Sequence, residues 1–278
     1  MQHDLDFACA LARSAGAIVR EHQGRTERLT KQGDEAVTAL DRDSQRHIVA
    51  ALTARFPNDG ILGEENDAGT GITFTQPRSG KRVWVIDPID GTNNFVAGLG
   101  NFAVCIGLLD DGYPILGVVY DVMRDQLFAG GTDLGATCNG QSISALTTPP
   151  TAASLLMLTS NMLNAQGRMP TWAAALHAQT TWKIRVLGSA ALEAVMVAAG
   201  IAQGSITVNG KLWDIAAAAA VILGAGGEVI DLSGKPVFPL SLAGYNGGKV
   251  PYLAAAPSAK AALLACLKPS SLVSSVDP

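Results

Sequence analysis

A short apolar strand that runs directly into two aspartates restricts the folding of this chain more than any other feature. Residues 83–86 form the apolar run, and Asp87 and Asp90 follow it three residues apart. Two carboxylates at the end of a buried strand are costly unless a positive charge compensates them, and Mg²⁺ prefers such oxygen ligands. Gly91 and Thr92 come next and can offer backbone N–H groups to an anion. One loop can therefore hold a metal and a phosphate, which points to metal-assisted phosphoryl chemistry.

Three further acidic sites lie beside apolar or glycine-rich segments: Asp41, the pair Glu64 and Glu65, and Asp214. Each has a simpler interpretation. Asp41 and Asp214 can cap the helices that follow them, and the two glutamates can be solvated loop charges. Gathered around one anion site, however, these carboxylates would repel each other without metal. Two Mg²⁺ ions would neutralise them, polarise a phosphoryl oxygen and lower the pKa of a bound water.

Composition and charge exclude several classes of protein. The chain has 278 residues, of which 48% are apolar and 16% charged, and this is typical of a globular protein with many close-packed helices. A formal net charge of -4 without a long basic run argues against nucleic acid as the primary ligand. The four cysteines form no CxxC pair, which favours a reduced, cytoplasmic protein. The N-terminus lacks a signal-peptide profile and no apolar run reaches roughly 20 residues, so we expect no membrane span.

Periodicity predicts the elements of the first half. Helical spacing of apolar residues between 5 and 19 indicates an amphipathic first helix that ends near residues 23–24, and a second helix is predicted over 41–55. A polar, glycine-rich loop is predicted over about 67–81. A β-hairpin is predicted within 102–120, and a third strand of the same meander over 126–129.

Short apolar strands alternate with helices in the second half. The proline-containing segment 147–151 is the predicted boundary, which divides the chain into halves of 1–148 and 149–278. The predicted strands are 155–159, 184–187, 205–208 and 227–231, and the predicted helices are 173–179, 190–199 and 214–224.

Three motifs of this chain resemble the signature regions of the inositol monophosphatase family. They are Gly63-Glu64-Glu65, Asp87-Pro88-Ile89-Asp90-Gly91-Thr92 and Trp213-Asp214-Ile215-Ala216-Ala217. The resemblance implies a phosphoric monoester hydrolase that depends on magnesium, is sensitive to lithium and commonly forms a homodimer. It also implies a mixed α+β and α/β fold, a layered αβαβα sandwich. The N-terminal half would pair two helices with an antiparallel sheet that carries most metal ligands. The C-terminal α/β half would supply substrate contacts and the Trp213-Asp214 motif.

The resemblance also implies a role for each matching position. Two or three Mg²⁺ ions would be bound by Glu64, Asp87, the backbone carbonyl of Ile89, Asp90 and Asp214. The catalytic set would be Glu64 and Thr92, which orient the nucleophilic water, and Asp41, which holds the threonine hydroxyl. The implied reaction is direct in-line attack of metal-activated water on phosphorus, without a covalent phosphoenzyme.

Further matching positions concern the anion and the mouth of the site. The N–H groups of Gly91 and Thr92 would hold the phosphate, as expected for a loop that opens a helix. Glu65 matches a position where a further carboxylate near the metals is usual. Lys31 resembles a lysine at the mouth of family sites.

The substrate side departs from the pattern of inositol-preferring members. The positions that correspond to substrate contacts are Asn93, Ala190, Thr207 and Asp214. Inositol-preferring members have a glutamate where this chain has Thr207, and a shorter, neutral side chain loses charge-assisted hydrogen bonds to a polyol. An inositol-1-monophosphatase-like activity therefore stands beside related activities on histidinol phosphate, fructose 1,6-bisphosphate or a 3'-phosphonucleotide. Asn209 and Lys211 are either alternative substrate contacts or parts of a solvated turn.

Two interpretations from other classes are weaker. A regulatory, protein-binding member of the family would be expected to lose metal ligands, and every side-chain ligand is present here. A sugar-binding module would explain a polar cleft but not the paired aspartates. A small phosphomonoester is therefore the expected partner.

Overall fold

The computed structural model describes residues 1–25, 29–30, 36–66, 72–160, 168, 170, 172–173, 176 and 182–267. Its first half contains the following helices and strands: α1 (Gln2–Arg20), β1 (Leu29–Thr30), β2 (Ala36–Val37), α2 (Ala39–Arg55), β3 (Gly60–Gly63), β4 (Thr73–Thr75), β5 (Arg82–Asp90), α3 (Thr92–Ala97), β6 (Ala103–Asp110), β7 (Tyr113–Asp121), β8 (Gln126–Gly131), β9 (Gly135–Cys138) and β10 (Gln141–Ser142). Its second half contains β11 (Leu155–Leu158), β12 (Lys183–Arg185), α4 (Ala190–Ala198), β13 (Ala202–Thr207), α5 (Leu212–Gly224), β14 (Glu228–Ile230), β15 (Tyr252–Ala255) and α6 (Lys260–Leu267).

An eight-stranded sheet forms the centre of the first half, in the order β10-β9-β8-β7-β6-β5-β3-β4. Its neighbouring strands are antiparallel except β3 and β5, which are parallel, so the expected antiparallel arrangement does not hold for this pair. The parallel register sets Gly63 opposite Ile86. The residues that follow, Glu64 and Asp87, therefore lie at the same edge of the sheet.

A five-stranded sheet forms the second half, in the order β12-β11-β13-β15-β14. Strand β11 is parallel to β12 and β13, while β15 is antiparallel to β13 and β14. Helices α4 and α5 lie between the two sheets, because α5 packs on β6, β7 and β14 while α4 packs on β13 and β7. Helices α1 and α2 pack on the first sheet within a separate hydrophobic cluster. These layers confirm the expected α+β sandwich.

The first two helices form where their sequence patterns predict them. Leu5, Leu11 and Val19 are among the residues of α1 that face the sheet and are buried. Burying a side chain of this size contributes about 1.5–3 kcal/mol. Helix α2 begins after Thr38, whose side chain and that of Asp41 form a reciprocal capping box. Both helices are confirmed, with ends within a few residues of the predicted ones.

Helix α5 lies unusually close to the first sheet because two strand positions lack a side chain. A Cβ atom on Gly107 of β6 would come within 2.8 Å of the Ala217 nitrogen. A Cβ atom on Gly117 of β7 would come within 2.0 Å of the Ala217 carbonyl oxygen. The backbone of α5 therefore rests directly on the strands, and this contact sets the position of the helix start.

The structure confirms most predicted strands and corrects one loop. The hairpin and its third strand are present as β6, β7 and β8. The loop predicted over 67–81 contains β4, so that prediction is wrong over 73–75. Of the helix predicted over 173–179, Ala173 and Leu176 are helical and the other positions lie outside the described residues. Within the described part of the chain, no helix has the length and apolar character needed to cross a membrane.

Candidate active site

Three carboxylates from distant parts of the sequence meet at one point. Asp87 and Asp90 lie at the end of β5, and Asp214 lies in the first turn of α5. Each offers an oxygen atom, and these atoms all lie within 4.8 Å of one another. Asp87 and Asp90 are only 2% and 6% exposed. The structure thus brings together three of the predicted metal ligands.

The end of β5 is shaped by an interruption of the strand ladder. Pairing with β6 is regular as far as Asp87 and resumes at Asp90, with a bulge between them. Pro88 lies inside the bulge and has no N–H group to donate. The N–H of Ile89 donates to Asp87 Oδ1 at 3.0 Å. The bulge therefore lets both aspartates point to one side of the site.

Asp214 is the third residue of α5, and Lys211 is the N-cap residue. The backbone N–H of Lys211 donates to Asp214 Oδ2 at 2.8 Å, which closes the carboxylate half of a capping box. A carboxylate has about four acceptor positions, so this bond leaves Asp214 able to bind another group. The capping interpretation and the metal-ligand interpretation of this residue are therefore compatible.

Asp90 accepts hydrogen bonds from the start of α4. Ser189, the N-cap residue, donates its hydroxyl to Asp90 Oδ2. The backbone N–H groups of Ala190 and Ala191 donate at 3.2 and 2.9 Å. The positive end of the α4 dipole also favours a negative charge here. These donors keep the side chain of Asp90 in a fixed orientation.

Asp41 also combines a structural bond with a bond in the site. Its Oδ2 accepts from the N–H and the hydroxyl of Thr38, at 2.7 and 2.6 Å. Its Oδ1 lies 3.2 Å from the hydroxyl of Thr92, which lies 3.0 Å from the carbonyl oxygen of Ile89. Asp41 is therefore both the capping residue of the simpler interpretation and the partner of Thr92.

Glu64 follows β3, and a neighbouring side chain fixes its backbone. The N–H of Glu64 donates to the Ile86 carbonyl at 3.2 Å. Gln45 of α2 donates to the carbonyl of Glu65 and accepts from its N–H at 2.9 Å. Gly63 leaves room for this amide, since a Cβ atom there would come within 2.6 Å of it. Glu64 is therefore held from both sides.

Burial and mutual repulsion destabilise the charged form of the clustered carboxylates. Burial, then the neighbouring carboxylates with Glu64 foremost, raise the pKa of Asp87 well above 3.8. Burial, Asp90 and Glu64 do the same for the pKa of Asp214. Burial raises the pKa of Asp90 to about 6, although its hydrogen bonds from α4 oppose the shift. A cation at this point would reverse these shifts, because it favours the charged forms.

The donor set suits a hard divalent cation. The side-chain ligands that meet here are all carboxylates, and Mg²⁺ and Ca²⁺ take oxygen ligands whereas zinc in proteins is bound largely by nitrogen and sulfur. Among the described residues, the one group of three metal-ligating side chains is this one. The residues present therefore fit a magnesium-type centre.

A polar cleft of about 220 Å³ opens beside the carboxylates. Its wall includes these predicted site residues: Glu64, Asp90, Gly91, Thr92, Asn93, Ala190, Thr207 and Asp214. Asn209 and Lys211 also line it. Asn209 accepts a hydrogen bond from the Thr159 hydroxyl at 2.9 Å, and Lys211 Nζ donates to the Gly247 carbonyl at 2.8 Å. The two residues therefore belong to the cleft wall and not to a solvated turn.

One predicted position lies away from the cleft, and another is not described. Glu65 is buried, and it lines a second cavity beside Arg42 and Thr73 on the α2 side rather than the cleft. Lys31 lies outside the described residues.

Sequence reasoning missed two residues at the edge of the site, Gln45 and Glu193. Gln45 lies three residues before Ile48 on the buried face of α2, and a polar residue at an apolar position was the available signal. Glu193 is the charged residue of the otherwise apolar segment Ala190–Ala198, which was a similar signal.

Comparison with known proteins identifies the family. The model of the inositol monophosphatase family matches residues 1–268. The chain belongs to the inositol monophosphatase family. It is 35% identical over 233 residues to a Thermotoga maritima protein named fructose-1,6-bisphosphatase/inositol-1-monophosphatase, with 83% of this chain and 86% of that protein covered. It is 34% identical over 236 residues to the Nus factor SuhB of Pasteurella multocida, with 83% and 85% covered.

The fold comparison agrees with the sequence comparison. A solved structure of an IMPase from Thermotoga maritima matches with a TM-score of 0.80 at 30% identity, covering 96% of this chain and 97% of that chain. Inositol monophosphatase family members are phosphatases that hydrolyse phosphomonoesters, and this chain is an enzyme of that kind. The predicted family and the predicted class of enzyme are confirmed.

Proposed function

We propose that this phosphatase is a Mg²⁺-dependent, inositol-1-monophosphatase-like hydrolase of small phosphomonoesters. The observation that carries the proposal is the meeting of Asp87, Asp90 and Asp214 beside the start of α3. Three carboxylates this close repel one another when charged, and a cation would compensate that repulsion. Gly91 and Thr92 open α3 next to them, and N–H groups in a first helical turn have no partner within the helix, which suits a phosphate.

The metal ligands that we assign are Glu64, Asp87, the carbonyl of Ile89, Asp90 and Asp214. This set is large enough for two or three ions. When bound, Mg²⁺ supplies positive charge to the phosphoryl oxygens and the leaving group and lowers the pKa of bound water. The sensitivity to lithium that the family resemblance implies stays a prediction.

Thr92 and Asp41 are assigned to the attacking water. The single hydroxyl proton of Thr92 has two acceptors in reach, Asp41 Oδ1 at 3.2 Å and the Ile89 carbonyl at 3.0 Å, and we assign it to Asp41 because the Ile89 carbonyl is assigned to the metal. The lone pairs of Thr92 Oγ1 then remain free to accept a hydrogen bond from the water. Glu64 lines the same cleft and is the carboxylate that we assign to taking the proton of that water.

The cleft wall provides the groups for the phosphate and the leaving group. The N–H groups of Gly91 and Thr92 hold the phosphate in line with the water. Asn93, Ala190 and Thr207 line the cleft and are assigned to the leaving group. Attack by water on phosphorus then breaks the P–O bond to the leaving group directly, without a phosphorylated side chain.

Thr207 favours a second substrate class beside inositol phosphates. Its side chain is 1% exposed and neutral, and it lies near Asn209 and Lys211 in the cleft. Such a wall suits histidinol phosphate, fructose 1,6-bisphosphate or a 3'-phosphonucleotide as well as an inositol phosphate. The Thermotoga maritima relative carries a name that joins two of these activities.

A regulatory role is the third candidate, because relatives from Pasteurella multocida and Xylella fastidiosa are named Nus factor SuhB. A protein that acts only by contact has no need to keep the ligand carboxylates, and all four side-chain positions that match family ligands are acidic in this sequence. Catalysis is therefore the function that we assign. A homodimer, a cytoplasmic location and the absence of nucleic acid as primary ligand stay predictions.

The test is phosphate release from a panel of phosphomonoesters, measured with Mg²⁺ and with EDTA. The panel contains inositol 1-phosphate, histidinol phosphate, fructose 1,6-bisphosphate, 3'-phosphoadenosine 5'-phosphate and β-glycerophosphate. We expect turnover that Mg²⁺ restores after EDTA, with a clear preference for one ester. Equal turnover in EDTA would contradict the metal assignment, and no turnover by a folded sample that binds Mg²⁺ would contradict the substrate assignment.

A further inference from the structure

Glu193 is a buried carboxylate beside the cleft that the proposed reaction does not use. It is 1% exposed, lies in the first turn of the otherwise apolar helix α4 and is part of the cleft wall. Its Oε1 accepts hydrogen bonds from the backbone N–H groups of Leu187 at 2.7 Å and Gly188 at 3.0 Å. The side chain therefore bonds backward to the turn that leads into its own helix.

Burying the Glu193 carboxylate costs free energy, and its two hydrogen bonds to backbone N–H groups partly offset this cost. Burial, opposed by the two backbone hydrogen bonds, raises the pKa of Glu193 to about 7, and the charge of Asp90 adds to the shift. An apolar side chain would avoid the cost but would leave the N–H groups of two partly buried residues without this acceptor. The carboxylate of Glu193 therefore loses solvation on burial, and its hydrogen bonds hold the turn in place.

The same turn is held from the opposite side by α3. Asn94 Nδ2 donates to the carbonyl of Leu187 at 2.7 Å and to the carbonyl of Asn101 at 2.8 Å. Gly188 has a φ of +77°, and a Cβ atom there would come within 2.9 Å of the Asn94 amide. Leu187 is therefore fixed at its N–H by Glu193 and at its carbonyl by Asn94.

The fixed turn leads directly to the groups that hold Asp90. Ser189 follows Gly188 and donates its hydroxyl to Asp90, and the N–H groups of Ala190 and Ala191 donate to the same carboxylate. A small movement of the turn would shift all three donors together. Partners that orient a ligating carboxylate are commonly worth 10–100-fold in metal affinity.

We propose that Glu193 is a positioning residue that locks residues 187–189, together with Asn94, and thereby fixes the Asp90 carboxylate for metal binding. The inference rests on the proposed function only in its last step, because the locking of the turn does not require metal. Glu193 acts through the start of α4 and needs no contact with the reacting atoms.

The test compares Glu193→Ala with Glu193→Gln, which keeps an oxygen that can accept from the same N–H groups. Asp231→Ala is the matched control. Asp231 Oδ1 also accepts two backbone N–H groups of a turn, from Ser233 at 2.8 Å and Lys235 at 2.9 Å, but that turn lies outside the cleft wall.

The first readout is amide hydrogen exchange of the metal-free protein over 187–191. We expect exchange about tenfold faster in Glu193→Ala, and no change there in Glu193→Gln or Asp231→Ala. The second readout is Mg²⁺ affinity by calorimetry, which we expect to weaken about tenfold in Glu193→Ala and to recover in Glu193→Gln. Activity at saturating Mg²⁺ should fall mainly through kcat.

Several outcomes would overturn the inference. Unchanged exchange over 187–191 in Glu193→Ala would show that Glu193 does not hold the turn. Faster exchange with unchanged Mg²⁺ affinity would show that the turn does not control the Asp90 carboxylate. Glu193→Gln as impaired as Glu193→Ala would show that charge matters and not the backbone bonds. A wild-type protein that binds no Mg²⁺ would contradict the proposed function instead. If Glu193→Ala does not fold, Asn94→Ala loosens the same turn from its other side and carries the same expectations.

Discussion

Asp90 both accepts hydrogen bonds from the start of α4 and belongs to the group of carboxylates that we assign to the metal. Its oxygens accept three hydrogen bonds from Ser189, Ala190 and Ala191 and also lie within 4.8 Å of ligand oxygens from Asp87 and Asp214. The helix bonds orient the side chain, and its charge is what a cation would bind. Replacement by an amide separates these two properties, because the amide keeps one acceptor oxygen and loses the charge.

We expect Asp90→Asn to reduce turnover at least about 100-fold while the protein stays folded. Partners outside the metal shell cost 10–100-fold in affinity or activity, and a direct ligand should cost at least as much. Phosphate release at saturating Mg²⁺ measures the loss, and circular dichroism checks the fold. Asp231→Asn, an acid-to-amide change outside the cleft wall, should leave turnover unchanged. Wild-type turnover by Asp90→Asn would remove Asp90 from the metal centre.

Residue-level prediction succeeded where the chemistry lies within a short motif. Asp87 and Asp90 were predictable because two acidic residues at the end of a buried strand need a positive charge to compensate them. Gln45 and Glu193 were not, because each bonds to backbone groups whose position depends on the tertiary structure. No local pattern records which N–H group lies opposite a side chain, so only the fold reveals such roles.

The packing of α5 on the first sheet controls where Asp214 lies. A Cβ atom on Gly117 would come within 2.0 Å of the backbone oxygen of Ala217, three residues after Asp214. Backbone atoms cannot rotate away as a side chain can, so either the helix or the strand must move. We expect Gly117→Ala to destabilise the protein by about 1–3 kcal/mol, as for overpacked cores, and to weaken Mg²⁺ binding.

Chemical unfolding and Mg²⁺ calorimetry measure the two effects of Gly117→Ala. Gly248→Ala is the matched control, because the nearest atom to its added Cβ would be 3.8 Å away. That variant should change neither stability nor affinity beyond about 0.5 kcal/mol. If Gly117→Ala were as stable as the wild type and bound Mg²⁺ equally well, the glycine contact would not set the position of Asp214.

Elements with a long periodic pattern were predictable, and short ones were not. Helix α1 and the hairpin of β6 and β7 follow from repeated apolar spacing over many residues. Strand β4 has three residues and exists through its pairing with β3, so its own sequence carries little signal. The parallel pairing of β3 with β5 is likewise a tertiary property, although it aligns the ends of both strands at the site.

The whole molecule is organised around a core shared by the two halves of the chain. The larger hydrophobic cluster contains Leu62 and Val85 from the first half and Leu156 and Ala217 from the second. The boundary at 148/149 stays a prediction about chain organisation, and the shared cluster leads us to expect that the halves unfold together. The acidic site lies where elements of both halves meet, so its charge state affects the stability of the whole protein.

The direction of this effect follows from the raised pKa values. Asp90 has a pKa of about 6 in the folded protein, against an ordinary value of 3.8, and the pKa values of Asp87 and Asp214 are also raised. These carboxyls hold protons in the folded state that the unfolded chain has already released. Their contribution to stability is therefore full below about pH 4 and is lost as the pH rises through about 6 and above.

In EDTA, we expect the Tm of the wild type to fall more between pH 4.5 and pH 8 than the Tm of Asp90→Asn. The substitution removes the titration of Asp90 and also its repulsion of Asp87 and Asp214, so the difference measures the contribution of Asp90 together with this coupling. A shift of about two pKa units corresponds to at most about 3 kcal/mol, or roughly 5 °C for a chain of this size.

Mg²⁺ competes with protons for the same oxygens, so it should raise the wild-type Tm more at pH 8 than at pH 4.5 and have a smaller effect on Asp90→Asn. Parallel Tm profiles for the two proteins would mean that Asp90 does not take up a proton on folding, and an equal Mg²⁺ effect on both would place the ion away from this carboxylate.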